Sequence, residues 1–197
     1  MRLDEVDICN EAIGLVGATE WIQSLTNTGT VSERRCNRFF LGAVERVLSK
    51  HDWHCSSTIR QLAENTTTPL TSYDSSFALP NDCVRVINVY EDDAGYTPYS
   101  RWELLERNIE TNLDTVFLRY VKFPDDYRSL DILLSTAIAY ELALLLAPSY
   151  VKDREVFGII LQGRRIALSE AKAIDTLQNK QLFAENDIYE DHRISMT

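Results

Sequence analysis

Apolar and polar positions alternate along this chain in three textures. From Leu3 to Val16 the residues Val6, Cys9, Ala12, Ile13 and Val16 fall three and four apart, the spacing of one helical face. Asp4 and Glu5 suit the positive end of such a helix, and Gly17 offers a left-handed stop. Ala18 to Gly29 predicts a loop pinned by Trp21, Ile22 and Leu25. Thr30 to Ser49 predicts a second helix, with Thr30 and Glu33 as a capping box and Cys36, Phe39, Phe40, Ala43, Val47 and Leu48 inward. The run from Leu130 to Ala147 is apolar on almost every face, so a helix there must be covered all round. It is expected to be the hub, capped by Asp125 or Asp126 and ended by Pro148. A last helix opens at Ser149, with Phe157, Ile160, Leu161, Leu168, Ala171, Ile174 and Leu177 on its face. After Gln178 the periodicity fades.

Between Trp53 and Phe123 the pattern shortens to strand-like runs broken by turn residues. Trp53 to Leu62 reads as an edge strand, and Ser76–Leu79 and Val84–Tyr90 flank the turn Pro80-Asn81-Asp82. Ser100–Glu106 and Ile109–Asn112 pair as a hairpin or form a helical turn, and Thr115–Phe123 is the clearest strand. Ala63 to Ser76, rich in Asn, Thr, Ser and Pro, predicts a long loop. The expected fold class is therefore α+β, mainly α. It is roughly a four-helix bundle (residues 1–52 and 124–179) with a small antiparallel β insertion (53–123) between the second and third long helices. An extended C-terminal tail covers 180–197.

Charge narrows the functions. The formal net charge is -10 over 197 residues, with no basic run. Stable binding to duplex DNA works through clustered Lys and Arg, which this chain lacks. An acidic surface that faces DNA without gripping it is compatible with the composition. Cys9, Cys36, Cys55 and Cys83 form no CxxC pair and read as reduced, half-buried thiols. The N-terminus has acids where a signal peptide has bases. The hub run is too short for a membrane span and contains Asp131 and Glu141, so no span is expected.

Chemistry-bearing residues are sparse. His51, His54 and Cys55 resemble one corner of a metal site without the second ligand pair. Asp92-Asp93 and Asp125-Asp126 suit turn and cap positions. Glu141, inside the apolar helix, calls for an arginine on a neighbouring helix or a contact with another subunit. Nucleophile, phosphate-loop, zinc-protease and dinucleotide motifs are missing from the sequence. No enzyme activity, cofactor or metal is expected.

The order of these features resembles a known family. EVDICNEAIGLVGATEWIQSL resembles the opening of podovirus tail tubular protein A, the head-to-tail adaptor of short-tailed phages. Asn10, Ile13, Val16-Gly17 and Ser24-Leu25 fall where that family has Asn, Leu, Ile-Gly and Ser-Leu. An amphipathic helix then leads to Trp53, where the family has Gly-Trp-x-Phe-Asn and this chain has Asp52-Trp53-His54-Cys55-Ser56. SFALPNDCVRVINV is similar to the family's Leu-Pro stretch before a strand. VFLRYVKFPDDYRSLDILLSTAIAYELA is similar to its strand, acidic Pro loop and long helix, without the family's second Leu-Pro and its richer arginine.

The resemblance implies a ring, dodecameric by expectation, between the portal protein and the tail nozzle (a tail tubular protein B-like partner), in the neck of a virion assembled in the host cytoplasm. DNA would pass through without specific binding. Ring closure needs heterologous contacts, for which Arg34, Arg38, Arg164 and Arg165 are candidates opposite acids of the next subunit. Leu182, Phe183, Ile188, Tyr189 and Ile194 are candidates for docking the tail onto the portal by folding on contact. The loops Ala63–Ser76 and Glu91–Tyr99 would face the nozzle. Alternatives are the connector ring of a long-tailed phage, an adaptor with peptidoglycan-hydrolase activity centred on Glu141, and a free-standing helical regulator.

Overall fold

A computed structural model describes residues 2–26, 29–66, 69–93 and 97–194, with side chains through Gln178. Contacts divide the chain into a helical unit (residues 1–47, 53–55 and 125–197) and a β unit (48–52 and 56–124).

In the helical unit, α1 (Glu5–Leu15) begins with a reciprocal cap. The Asp4 carboxylate accepts the N–H groups of Val6 at 3.0 Å and Asp7 at 2.9 Å, and Asp7 accepts the N–H of Asp4 at 3.2 Å. Helix N-terminal N–H groups have no partner within the helix, so such a box stabilises the start. Gly17 then takes a φ of +73°, a left-handed turn that glycine adopts without Cβ strain. Asn10 holds the following loop by both ends of its amide, accepting the N–H of Ile22 at 2.9 Å and donating to its carbonyl at 3.0 Å. Ile22 is thereby buried, whereas Trp21, expected to pin the loop, is 63% exposed.

Helix α2 (Val31–Leu48) carries the capping box read from the sequence. Thr30 Oγ1 accepts the N–H of Glu33 at 3.1 Å, and Glu33 accepts that of Thr30 at 3.0 Å. Helix α3 (Ile132–Tyr150) has buried residues around most of its circumference, including Leu134, Ala137, Ile138, Ala139, Leu142, Ala143, Leu146 and Ala147. Both α1 and α4 (Arg154–Ile194) pack on it. By length and composition α3 is able to cross a membrane, with a mean hydropathy of 1.7, yet 56% of that window is buried inside the fold.

Two expectations about α3 need correcting. Asp126 caps a short 3-10 turn, Tyr127–Ser129, through the N–H of Arg128, and α3 itself begins after Asp131. Pro148 does not end the helix: it lies in the last turn, and the Val151 N–H reaches the Ala147 carbonyl at 2.8 Å. So near the end, proline removes little of the ladder. The last helix starts at Arg154, not Ser149, with Asp153 accepting the N–H of Glu155 at 2.8 Å. Its backbone stays helical to Ile194, where the sequence pattern predicts an extended tail.

The β unit contains two three-stranded antiparallel sheets. One has the order β1 (Ser57–Gln61), β6 (Phe117–Lys122), β3 (Cys83–Tyr90). The other has the order β2 (Ser75–Ala78), β5 (Asn108–Thr111), β4 (Trp102–Leu105). Strand β6 is central, with Leu118, Tyr120 and Val121 buried. Leu62, Phe77, Val89, Ile109, Val116, Leu118 and Tyr120 form a core of the unit's own.

The expected four-helix bundle with a small insertion is therefore not what this chain forms. Among the described residues it has four helices and six strands in two antiparallel sheets. The helices are unequal, 11, 18, 19 and 41 residues long. The strands flanking Pro80-Asn81-Asp82 do not pair with each other: β2 joins β5 and β3 joins β6. A turn signal fixes a local bend, but long-range pairing and burial decide the partner.

Candidate functional site

The chemistry of the helical unit centres on Glu141. The α3 burial pattern places it on a covered face, with its side chain 7% exposed. Arg164 of α4 donates from Nε to its Oε2 at 2.7 Å, and an Arg46 guanidinium nitrogen of α2 lies 3.9 Å from Oε1. The arginine partner anticipated for Glu141 is present. It ties three helices together, since a buried carboxylate is tolerable only when charge and hydrogen bonds compensate it. Glu141 does not line the cleft between the start of α3 and the last described turns of α4.

Arg164 is thus turned onto its own chain, with 23% of its side chain exposed, where the sequence reading set it at a subunit contact. The other three arginines lie at the surface. Arg34 donates to the Gly29 carbonyl at 3.1 Å. Arg38 has its guanidinium 5.8 Å from the Phe39 ring, and Arg165 is exposed on α4. The side chains of Leu182, Phe183, Ile188, Tyr189 and Ile194 lie outside the described residues.

Around this centre, polar contacts lock helix ends. Ser32, 1% exposed, bonds Glu20 at 2.8 Å and the Tyr150 hydroxyl at 2.9 Å. Arg35 stacks over the Tyr150 ring at 4.7 Å. Asp175 of α4 is 3% exposed and accepts the backbone N–H of His54 at 2.8 Å. Sequence periodicity does not single it out, because a lone Asp amid a charged helix looks solvated. Among the described residues, no group of three or more His, Cys, Asp and Glu is arranged to hold a metal ion, and HDWHC supplies none. Asp126 serves as a cap, and its carboxyl is held below the usual range by the Arg128 side chain and N–H.

The surface of α4 is unusual for a solvated helix. Ile159 is 65% exposed, Ile166 49% and Leu177 59%, with Val156 and Ile174 beside them. At seven and eleven residues apart, these three form a stripe along one side, distinct from the face of Ile160, Ala167 and Ala171 that is buried. The sequence reading assigned Phe157, Ile174 and Leu177 to the buried face, yet all three are more than a third exposed.

In the β unit, Glu110 is the buried carboxylate. It is 2% exposed and accepts the N–H groups of Leu70 at 2.8 Å and Thr71 at 2.9 Å, and the Thr71 hydroxyl. These bonds fasten part of the predicted 63–76 loop to β5. No family model and no curated protein matches this chain.

Proposed function

We propose that this chain is a structural subunit of a phage neck, a head-to-tail adaptor that forms a ring between portal and tail nozzle and lets DNA pass. The carrying observation is the exposed apolar stripe of α4, Ile159, Ile166 and Leu177. Scattered exposed apolar residues are ordinary, but three strongly exposed ones aligned along one side of a single helix support a surface that another protein covers. The partners come from the resemblance in motif order to tail tubular protein A. The net charge of -10 suits a lumen that repels phosphate, so DNA slides instead of sticking.

In this reading the subunits meet through heterologous contacts, with exposed Arg34, Arg38 and Arg165 facing acids on the neighbour. Leu182, Phe183, Ile188, Tyr189 and Ile194 dock on the portal, and loops of the β unit face the nozzle. The ring is dodecameric. The test is to mix the purified chain with its portal and image the mixture by negative stain. A ring seated on the portal is the expected result. A chain that stays monomeric with portal present overturns the proposal.

A further inference from the structure

An open sheet edge presents a row of unpaired N–H and C=O groups that a further strand can use. The two sheets of the β unit have four edge strands, β1 and β3 in one and β2 and β4 in the other. Other parts of the chain cover two of them. Tyr99 bridges Val89 of β3, donating its N–H to the Val89 carbonyl at 2.8 Å. Glu64 bridges Phe77 of β2, and the Asn65 N–H reaches the Ser76 carbonyl at 2.8 Å. Among the described residues, no second strand or bridge lies along 58–61 of β1 or 102–105 of β4. Beside Arg60 and Gln61 the space is an open groove of about 350 Å³, with residues 78–81 as its other wall.

These two open edges fit each other. On β1, the Leu62 N–H donates to the Val116 carbonyl of the adjoining chain at 2.9 Å. Backbone groups alternate in direction along an antiparallel pair, so Thr58 and Arg60 also turn theirs toward β6, and Ile59 and Gln61 turn theirs outward. On β4, the two-residue turn Glu106-Arg107 closes on Leu105 and Asn108 as a hydrogen-bonded pair, so Trp102 and Leu104 turn their backbone groups outward. Joined antiparallel, the edges form hydrogen-bonded pairs of Ile59 with Leu104 and of Gln61 with Trp102. Arg60 then falls opposite Glu103 in a non-hydrogen-bonded pair, the kind whose side chains come closest. The groups this needs are accessible: Ile59 is 44% and Leu104 45% exposed, and Arg60 and Glu103 are exposed. Arg60 also donates to the Tyr120 hydroxyl, which uses part of the five-donor fork of a guanidinium. A slip by two residues, the smallest that keeps the hydrogen bonds in phase, sets Arg60 against Arg101 or Leu105 instead.

We propose that β1 of one copy of this chain pairs antiparallel with β4 of a second copy, with Arg60 opposite Glu103. The two edges differ, so the contact is heterologous and each copy keeps one edge for the next. This deepens the ring reading and rests on it, by naming a surface through which neighbouring subunits join.

The test uses the full chain. R60C and E103C are purified separately, mixed with and without portal, and exposed to oxidised glutathione, which is reduced to two thiols as the two cysteines form a disulfide. The mixture gives a covalent dimer on a non-reducing gel. Wild type, either variant alone, and I59C mixed with E103C, whose side chains lie on opposite faces of the joined sheet, give only background. A second readout is Q61P, which removes an outward N–H and leaves the ladder to β6 intact. By mass photometry it raises the concentration for half-assembly about tenfold or more. Thermal melts check folding, and if Q61P is unfolded, E103R replaces it with the same expected loss. Wild-type assemblies without the R60C–E103C cross-link overturn the strand pairing and leave the ring reading standing. Wild type that stays monomeric with portal present overturns both.

Discussion

The Glu141 centre makes a prediction whose size follows from its geometry. Replacing Arg164 by methionine keeps most of the side-chain volume but removes the donor 2.7 Å from a carboxylate that is 7% exposed. Breaking a fully buried ion pair costs about 3–5 kcal/mol, because the remaining charge is stranded. Two features lower the figure here. Arg164 is itself 23% exposed, and Arg46 stays 3.9 Å from the other carboxylate oxygen. Arg46 is 59% exposed, and a pair of that kind contributes about 0–1 kcal/mol. R164M should therefore cost about 2–4 kcal/mol, and R46M under about 1 kcal/mol. The double variant E141L/R164M removes both charges, and a well-packed apolar pair in such a place is close to neutral. It should recover at least half of the R164M loss. Urea denaturation followed by far-ultraviolet circular dichroism at pH 7 measures all of these, with unchanged slopes confirming comparable unfolding. If R164M costs no more than R46M, or if E141L/R164M is as unstable as R164M, the carboxylate is not sustained by Arg164 and the account of this centre fails.

Other perturbations test separate elements. A Cβ on Gly163 would lie 2.4 Å from Cε1 and 2.8 Å from Cζ of Tyr140, so G163A should lose about 1–3 kcal/mol in a urea titration. At Gly42, where nothing lies within 4 Å, G42A should gain about 0.5–1 kcal/mol from helix propensity. Glu110 is bound by the Thr71 hydroxyl and the N–H groups of Leu70 and Thr71, which lower its pKa in the folded chain. Its stabilising contribution is present in full above the unfolded value of about 4.3 and fades as pH falls from there through the lowered folded value. Thermal melts of wild type and E110Q should therefore differ most at pH 7 and converge toward pH 3, and a gap that widens on acidification contradicts that sign. Glu106, in the turn between β4 and β5, has a φ of 54°, a left-handed conformation that costs a residue with a Cβ about 1–2 kcal/mol. E106G should raise the melting temperature, and a drop would show that the Glu106 side chain matters more than its backbone.

How far the sequence discloses this molecule depends on the range of the forces involved. Helix starts are local, so Thr30 with Glu33 could be read directly, and Gly17 announced its left-handed turn. The all-round apolarity of 130–147 forced a covered helix, because no other arrangement removes that surface from water. Pairing in the sheets is not local. Ser76–Leu79 and Val84–Tyr90 read as strands flanking the turn Pro80-Asn81-Asp82, and the sequence does not name their partners: Phe77 lies opposite Ile109 and Val89 opposite Leu118. Which partner a strand takes depends on where its apolar face can be buried, and that involves residues some thirty positions away. Arg164 illustrates the same limit for charge: its helical position allowed a neighbour's acid or its own Glu141, and only the packing of α4 on α3 selected the latter. Asp175 is the extreme case. Its neighbours Ile174 and Thr176 are exposed, so periodicity marks it as solvated. Its burial comes from the turn at Trp53–Cys55, and the His54 N–H it accepts is 121 residues distant. A carboxylate placed by so remote a contact is invisible to any pattern along the chain. For the same reason it is a sensitive reporter: if α4 packed differently on α3, Asp175 would be in water and the cleft beside it would not exist.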